Sequence, residues 1–218
     1  MIDLHTHSIF SDGELIPSEL ARRAASRGYR AIAVTDHGDH SNVDFIVPRI
    51  VKVCRKLSDA YEIHVIPGIE LTHVPPKYIS ELAKDCRKLG ARIIIVHGET
   101  IVEPVMEGTN AAALQSPIDI LAHPGFITEE DAMLAAKKAI CLEISARRGH
   151  SFTNGHVAGM ARQTGAGLVL NTDGHSPNDL ISRDFAHKIA AGAGMADQEI
   201  QNMFKNSERL VEKALRNG

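Results

Sequence analysis

Residues 91–125 read ARIIIVHGETIVEPVMEGTNAAALQSPIDILAHPG. Two short β-branched runs, Arg92–His97 and Ile118–His123, bracket a stretch of helical periodicity at Val105–Gln115, and each run ends on a histidine. Strand, helix and strand in roughly 30 residues make the βαβ unit of a parallel sheet, whose connection crosses back over the sheet as a helix. The same rhythm continues in both directions. Further strand-like runs lie at Ile2–His5, Ala31–Asp36, His64–Leu71, Cys141–Ser145 and Gly167–Asp173. Helices are expected at Ser18–Arg27, Asp44–Ala60, Tyr78–Leu89, Glu129–Lys138 and Asn154–Thr164, with two more after the last strand. Thr128 ahead of Glu129, Glu130 and Asp131 reads as an N-cap with an acidic first turn, and Asn206-Ser207-Glu208 reads as the opening of the final helix. Gly28 and Gly90 stand where helices should stop. No low-complexity linker, charge block or repeat interrupts the pattern, so residues 1–218 are expected to form one domain. The economical architecture is α/β, a distorted TIM-like barrel of seven βα units; a doubly wound open sheet is the alternative.

Composition narrows the function. A formal net charge of -3 removes any protein-wide attraction for nucleic acid or anionic membrane, so an anionic substrate has to be drawn in locally. The three cysteines, Cys54, Cys86 and Cys141, form no Cys-x-x-Cys pair, which argues against a disulfide framework and a thiolate zinc site and fits a reducing cytosol. No basic segment precedes an apolar N-terminal stretch, and no apolar run approaches the roughly 20 residues of a membrane span. A soluble, cytoplasmic protein without membrane association is expected. The anomaly is histidine: 12 of them, against three Tyr, six Phe and no Trp.

Those histidines have a positional logic. His5 and His7 close the first strand run, Asp36 and His37 the second, Glu70 the third, His97 the fourth and His123 the fifth; Glu143 lies in the sixth, and Asp173 with His175 closes the seventh. In a parallel barrel these C-terminal ends share one rim, where active sites are built. Imidazoles and carboxylates converging there need partners, and metal ions are the simplest. Mixed nitrogen and oxygen donors without thiolate suit zinc, manganese or iron. His5-Thr6-His7 alternates along a strand, so both imidazoles point to one side and can reach one ion.

Taken in order, His5-Thr6-His7-Ser8, Ser11-Asp12-Gly13, Thr35-Asp36-His37, Gly68-Ile69-Glu70, the lone His97, Ala122-His123-Pro124 and Thr172-Asp173-Gly174-His175 resemble the motif series of PHP (polymerase and histidinol phosphatase) hydrolases. The resemblance runs to about Pro177. It implies a distorted (βα)7 barrel with two or three divalent ions, zinc, manganese or iron. It places His5, His7, Glu70 and Asp173 on the first ion, Glu70, His97 and His123 on the second, and Asp12, His37 and His175 on the third. Some relatives carry His where this chain has Asp12. The activity implied is metal-dependent hydrolysis of a phosphate monoester by a hydroxide held between two ions, with His5, His7, Glu70, His97, His123 and Asp173 carrying the reaction. Three divalent ions against the carboxylates Asp12, Glu70 and Asp173 leave a local positive surplus that would draw in phosphate.

Beyond the ligands, Arg147, Arg148 and His150 are the expected substrate-binding residues, although two adjacent arginines do not easily both point inward. His156 is read as a surface or capping residue with a possible substrate role. Glu143 either orients a ligand imidazole or pairs with an arginine, Glu99 has the same two readings, and Asp36 supports rather than ligates. His40, His64, His73 and His187 match no ligand position and read as structural or exposed. The expected substrate is a small phosphorylated metabolite, histidinol phosphate first by resemblance to the compact histidinol phosphatases, hence a place in histidine biosynthesis. A nucleotide- or oligonucleotide-directed phosphoesterase is the alternative. A non-catalytic RNA-binding barrel, as in the RNase P protein subunit, is a third reading, set apart by the full ligand series here. Oligomeric state is not legible.

Overall fold

The computed structural model describes residues 1–216. Its strands are β1 (Ile2–Asp3), β2 (Ala31–Val34), β3 (His37–Gly38), β4 (His64–Leu71), β5 (Ile93–His97), β6 (Ile120–Ala122), β7 (Cys141–Ser145) and β8 (Leu168–Asn171). Its helices are α1 (Pro17–Ser26), α2 (Val43–Tyr61), α3 (Pro76–Lys88), α4 (Thr109–Gln115), α5 (Glu129–Lys138), α6 (Asn154–Thr164), α7 (Arg183–Gly192) and α8 (Asp197–Arg216). The strands run in the order β1-β2-β4-β5-β6-β7-β8, all pairs parallel, with β3 extending the edge of β4. Just past β1 and β8 the sheet meets itself: Thr6 bridges Gly174, and the His7 amide donates to the Gly174 carbonyl at 2.8 Å. That closure makes it a barrel and rules out the open sheet.

Side-chain alternation sorts each strand into two environments. Ile94, Val96, Leu121, Leu142, Ile144 and Leu170 face outward into the layer under the helices, while Ile66, Ile93, Ile95, Ile120, Cys141 and Val169 fill the interior. The inward series then turns polar toward the C-terminal ends: Ile66, Gly68, Glu70 on β4; Ile93, Ile95, His97 on β5; Cys141, Glu143, Ser145 on β7. Leu210, Val211 and Ala214 of α8 join the interior cluster and plug the opposite mouth. The Lys213 ammonium donates to the buried Asp119 carboxylate at 2.9 Å, anchoring that plug to the sheet.

Several boundaries differ from the sequence expectation, each for a local reason. The first run leaves the ladder after Asp3 because side chains take over its hydrogen bonding: the Leu4 amide donates to Asn171 Oδ1 at 2.9 Å and the Thr6 amide to Thr35 Oγ1 at 3.1 Å. The short β3 pair was absent from the expected strands. Helix α4 starts at Thr109 rather than Val105, since Gly108 adopts the left-handed conformation (φ 87°). Asn206-Ser207-Glu208 lies inside α8 and does not open it; Asn206 Nδ2 donates to the Leu168 carbonyl at 2.8 Å and Ser207 is buried, while Glu199 accepts the Ala196 amide at the true start. Thr128 does cap α5, accepting the Asp131 amide at 3.1 Å.

Gly68 marks how tightly the interior is built: a Cβ there would fall 2.6 Å from Thr35 Cγ2 and 2.8 Å from the Ile93 carbonyl oxygen. Gly68→Ala is expected to cost about 1–3 kcal/mol in a denaturant titration, through overpacking under the site. An unchanged midpoint would mean that the barrel wall yields there.

Candidate metal centre

The polar residues at the rim arrive from successive βα units. His5 and His7 extend β1, His37 opens β3, Glu70 and His97 end β4 and β5, and His123, Asp173 and His175 follow β6 and β8. Asp12 comes from the β1–α1 loop. That loop is pinned by Asp36, whose carboxylate accepts the Ser8 amide (2.7 Å), Ser8 Oγ (2.8 Å) and Ser11 Oγ (2.9 Å). Asp36 therefore braces the loop. His123 (φ 25°) and Asp173 (φ 50°) hold positive φ angles, a backbone strain that clusters at functional sites.

The structure brings all the expected ligands into one cluster. Four overlapping sets have one donor atom per residue within 4.8 Å of the others: His5, His7 and Glu70; His5, His123 and Asp173; His7, Asp12, His37 and His175; and His97, His123 and His150. The grouping is more interlocked than the resemblance implies. His7 also joins the Asp12 set, and His150 takes a place beside His97 and His123. Glu70 sits centrally, with Oε1 3.2 Å from His5 Nε2 and 3.7 Å from His123 Nε2, and Oε2 2.6 Å from His37 Nδ1 and 3.7 Å from His7 Nε2.

The decisive chemistry is in the atoms left over. His5 Nε2, His7 Nδ1 and Nε2, Glu70 Oε1, His97 Nδ1, His123 Nδ1 and Nε2 and Asp173 Oδ1 are buried without a hydrogen bond. Buried polar atoms are normally paired, and leaving one unpaired costs about 1–3 kcal/mol. One donor atom from each of these residues faces its neighbours in the sets above, which fits a donor set shaped for divalent cations. His5 is held as ligand imidazoles are: its Nδ1 lies 2.8 Å from Glu143 Oε2, which also accepts from Asn171 Nδ2 at 2.9 Å. Of the two partners considered for Glu143, an imidazole and an arginine, the one in contact is the His5 imidazole.

Electrostatics within the cluster are strongly perturbed. Burial opposes a charge on His5, but the Glu143, Glu70 and Asp173 carboxylates outweigh it and hold the imidazole well above its usual range. Burial likewise opposes a charge on His37, yet Glu70 and Asp12 raise it to about 10. Burial and neighbouring imidazolium charge push His7 and His123 well below the usual range. Burial, joined by the Glu70 and Glu143 carboxylates, raises Asp173 to about 7 against the pull of His5 and Arg147. Such opposed shifts packed together are characteristic of functional sites.

Above the cluster opens a cleft of about 250 Å³ lined by Asp12, His37, Thr72, His73, His97, Glu103, Arg147, His150, Asp173 and His175. Arg147 turns inward, its Nη1 3.0 Å from the Asp173 carbonyl and 2.8 Å from His175 Nδ1. Arg148 is exposed and does not line the cleft. His150 is buried among the imidazoles. His156 serves the fold, its Nε2 2.7 Å from the Ile127 carbonyl, and Glu99 accepts the Asn110 amide in the loop after β5. His40 and His64 are exposed and His187 faces Asp197. His73, expected to be structural or exposed, is exposed but lines the cleft, its ring 5.3 Å from that of His97. Glu103 was not anticipated: its Oε2 lies 3.0 Å from His97 Nε2. No periodic or motif signal marks it, since it sits in an irregular loop. With Glu143 and Glu103 counted, the positive surplus that bound ions would leave is smaller than three ligand carboxylates imply.

Comparison with known proteins agrees with this architecture. Residues 3–98 match the PHP domain model. The chain is 50% identical over 202 residues to the uncharacterized protein MJ1295 of Methanocaldococcus jannaschii, covering 92% of this chain and 93% of that one. It is 29% identical to ribonuclease P protein component 3 of Methanosarcina barkeri, over 97% and 88% of the two chains. Among solved structures, a chain of archaeal ribonuclease P with mature tRNA superposes with TM-score 0.72 at 15% identity, covering 98% of this chain and 91% of that one. The histidinol phosphate phosphatase of Lactococcus lactis, complexed with zinc, L-histidinol and phosphate, superposes with TM-score 0.63 at 18% identity, covering 89% and 94%. The chain belongs to the PHP family of phosphoesterases.

The Glu143–His5 contact yields a direct test. Glu143→Gln keeps the side-chain volume and removes the charge, and is expected to weaken metal affinity about 10–100-fold without unfolding the barrel. Calorimetric titration with Zn²⁺ that finds wild-type affinity in this variant would show that the contact does not tune the site.

Proposed function

We propose that the protein is a metal-dependent phosphoesterase that hydrolyses the phosphate monoester of a small molecule. The observation that carries this reading is the convergence of unpaired buried donors from His5, His7, Glu70, His97, His123 and Asp173, with Asp12, His37 and His175 alongside, at the floor of a narrow cleft. Zinc, manganese or iron ions held there, two or three in number, would supply Lewis acidity to phosphate oxygens and a water acidified toward neutral pH.

The chain's own residues do the rest. Glu70, facing His5 and His123 with one oxygen and His7 with the other, is the carboxylate placed to serve two centres. The Arg147 guanidinium leans over Asp173 and His175 from the cleft wall, where it can donate to a phosphate oxygen. Buried walls exclude water from the floor and strengthen each of these charge interactions. Glu103 and His73 stand at the mouth, where the leaving group would lie. A cleft of about 250 Å³ suits a metabolite-sized ester, and histidinol phosphate is the first substrate to try, given the fold shared with a phosphatase solved with L-histidinol and phosphate. The likeness to ribonuclease P component 3 favours a second reading, action on or binding to nucleic acid.

Elemental analysis of the purified protein, followed by rates against histidinol phosphate, nucleoside monophosphates and a 5′-phosphorylated oligonucleotide, separates the two. Expected are at least one transition ion per chain, loss of hydrolysis on chelation, and preference for a small monoester. Preference for the oligonucleotide would move the chain to the second reading, and absence of metal and turnover would end the first. Arg147→Ala should lower kcat/KM about 10–100-fold, whereas Arg148→Ala should stay within about twofold. Equal losses in both variants would remove Arg147 from the cleft's chemistry.

A further inference from the structure

His150 departs from the ligand series that the family resemblance implies. It is buried (4% exposed) and comes from a single turn of 3-10 helix after β7, far in sequence from the His97 and His123 loops. Its Nδ1 lies 2.8 Å from Thr100 Oγ1. Its Nε2 points into the cleft, 3.5 Å from Glu103 Oε1 and 3.7 Å from Asp173 Oδ2, both too long to satisfy it. Its ring stacks on His123 with centroids 4.0 Å apart and planes at 14°.

This is how a ligand imidazole is presented: one nitrogen tied to a fixed partner, which sets tautomer and ring orientation, and the other aimed at a shared centre. Donor atoms of His97, His123 and His150 already lie within 4.8 Å of one another. Glu103 stands on the open side, with Oε2 3.0 Å from His97 Nε2 and Oε1 3.5 Å from His150 Nε2. A four-coordinate ion with bonds of roughly 2.1 Å holds its donors a little over 3 Å apart, close to the two separations of Glu103 from these histidines. The second nitrogen opens on the cleft, where an ion can reach it.

We propose that His150 and Glu103 are ligands of the ion over His97 and His123, so that this centre takes three imidazoles and a carboxylate, with Thr100 as the positioning residue that fixes the His150 ring. The proposal rests on the metal-centre reading above and adds residues that the family resemblance does not supply. Its consequence is selectivity. An imidazole-rich shell prefers zinc and neighbouring transition ions over magnesium, and this ion depends less on Glu70 than the shared-carboxylate arrangement requires.

The test compares metal-stripped wild type with His150→Gln, Glu103→Gln, Thr100→Val, His97→Ala and the His97→Ala/His150→Gln pair, each checked for folding by circular dichroism. Calorimetric titration with Zn²⁺ gives stoichiometry and affinity, and Co²⁺ absorption reports the geometry of the site. His150→Gln is expected to weaken one ion about 10–100-fold, change the Co²⁺ spectrum and leave the remaining ions as in wild type; Glu103→Gln and Thr100→Val should weaken the same ion, about tenfold. The double variant should lose no ion beyond the one that His97→Ala loses. Wild-type stoichiometry, affinity and spectrum in folded His150→Gln would overturn the proposal while leaving the metal-centre reading intact, as would loss of a second ion in the double variant. Glu103→Gln sits at the exposed mouth and carries little folding risk; wild-type affinity there would remove Glu103 from the shell. Fewer than one ion per chain in wild type would overturn both the metal centre and this assignment.

Discussion

Glu70 is wholly buried at the end of β4, and its two oxygens face His5, His7, His37 and His123 at 2.6–3.7 Å. A carboxylate in that position, taken out of water, has to be compensated by positive charge. The surrounding imidazoles divide the task unevenly: His5 and His37 are driven toward the charged form, while His7 and His123 are driven away from it, because burial opposes their charge and adjacent cations repel. Protons distributed in this way leave a ring of donors without hydrogen bonds. Divalent cations bound here would relieve the whole arrangement at once, supplying concentrated positive charge and directional bonds to the unpaired nitrogens.

The barrel is what makes so costly a cluster tolerable. Alternation along each strand sends one set of side chains into the helix-covered layer and the other into the interior, where an apolar base of Ile66, Ile93, Ile95, Ile120 and Val169 is sealed by α8. The same inward register, continued toward the C-terminal ends, delivers Glu70, His97 and Glu143. Stability is concentrated at one end and polar frustration at the other. The strained φ angles of His123 and Asp173, and the side chains of Asn171 and Thr35 standing in for ladder partners near β1, lie at the polar end.

Around the cluster, rigidity comes from the neighbours of the ligands. Glu143 steers His5, Asp36 pins the loop that carries Asp12, and Thr100 holds His150. A cleft built this way presents a fixed charge pattern to whatever enters. The family includes proteins named as phosphatases and proteins of ribonuclease P, so the barrel alone does not choose between them. The choice rests on the donors at the floor and the size of the space above them.

The sequence by itself determined the βα rhythm, the parallel sheet and the positions of the candidate ligands, because each is local: a β-branched run followed by a polar residue at its end is visible within a few positions. His97 at the end of Arg92–His97 and His123 at the end of Ile118–His123 needed nothing more. Four features depended on residues distant in the chain, and only the tertiary structure decided them. Closure of the sheet came from Thr6 meeting Gly174, and the plug from α8 reaching back under β1 and β8. Arg147, not Arg148, faces the cleft, where its guanidinium meets the Asp173 carbonyl and His175. Glu103 from an irregular loop and His150 from a lone 3-10 turn meet over His97, where no long period constrains direction and only packing sets where a side chain points.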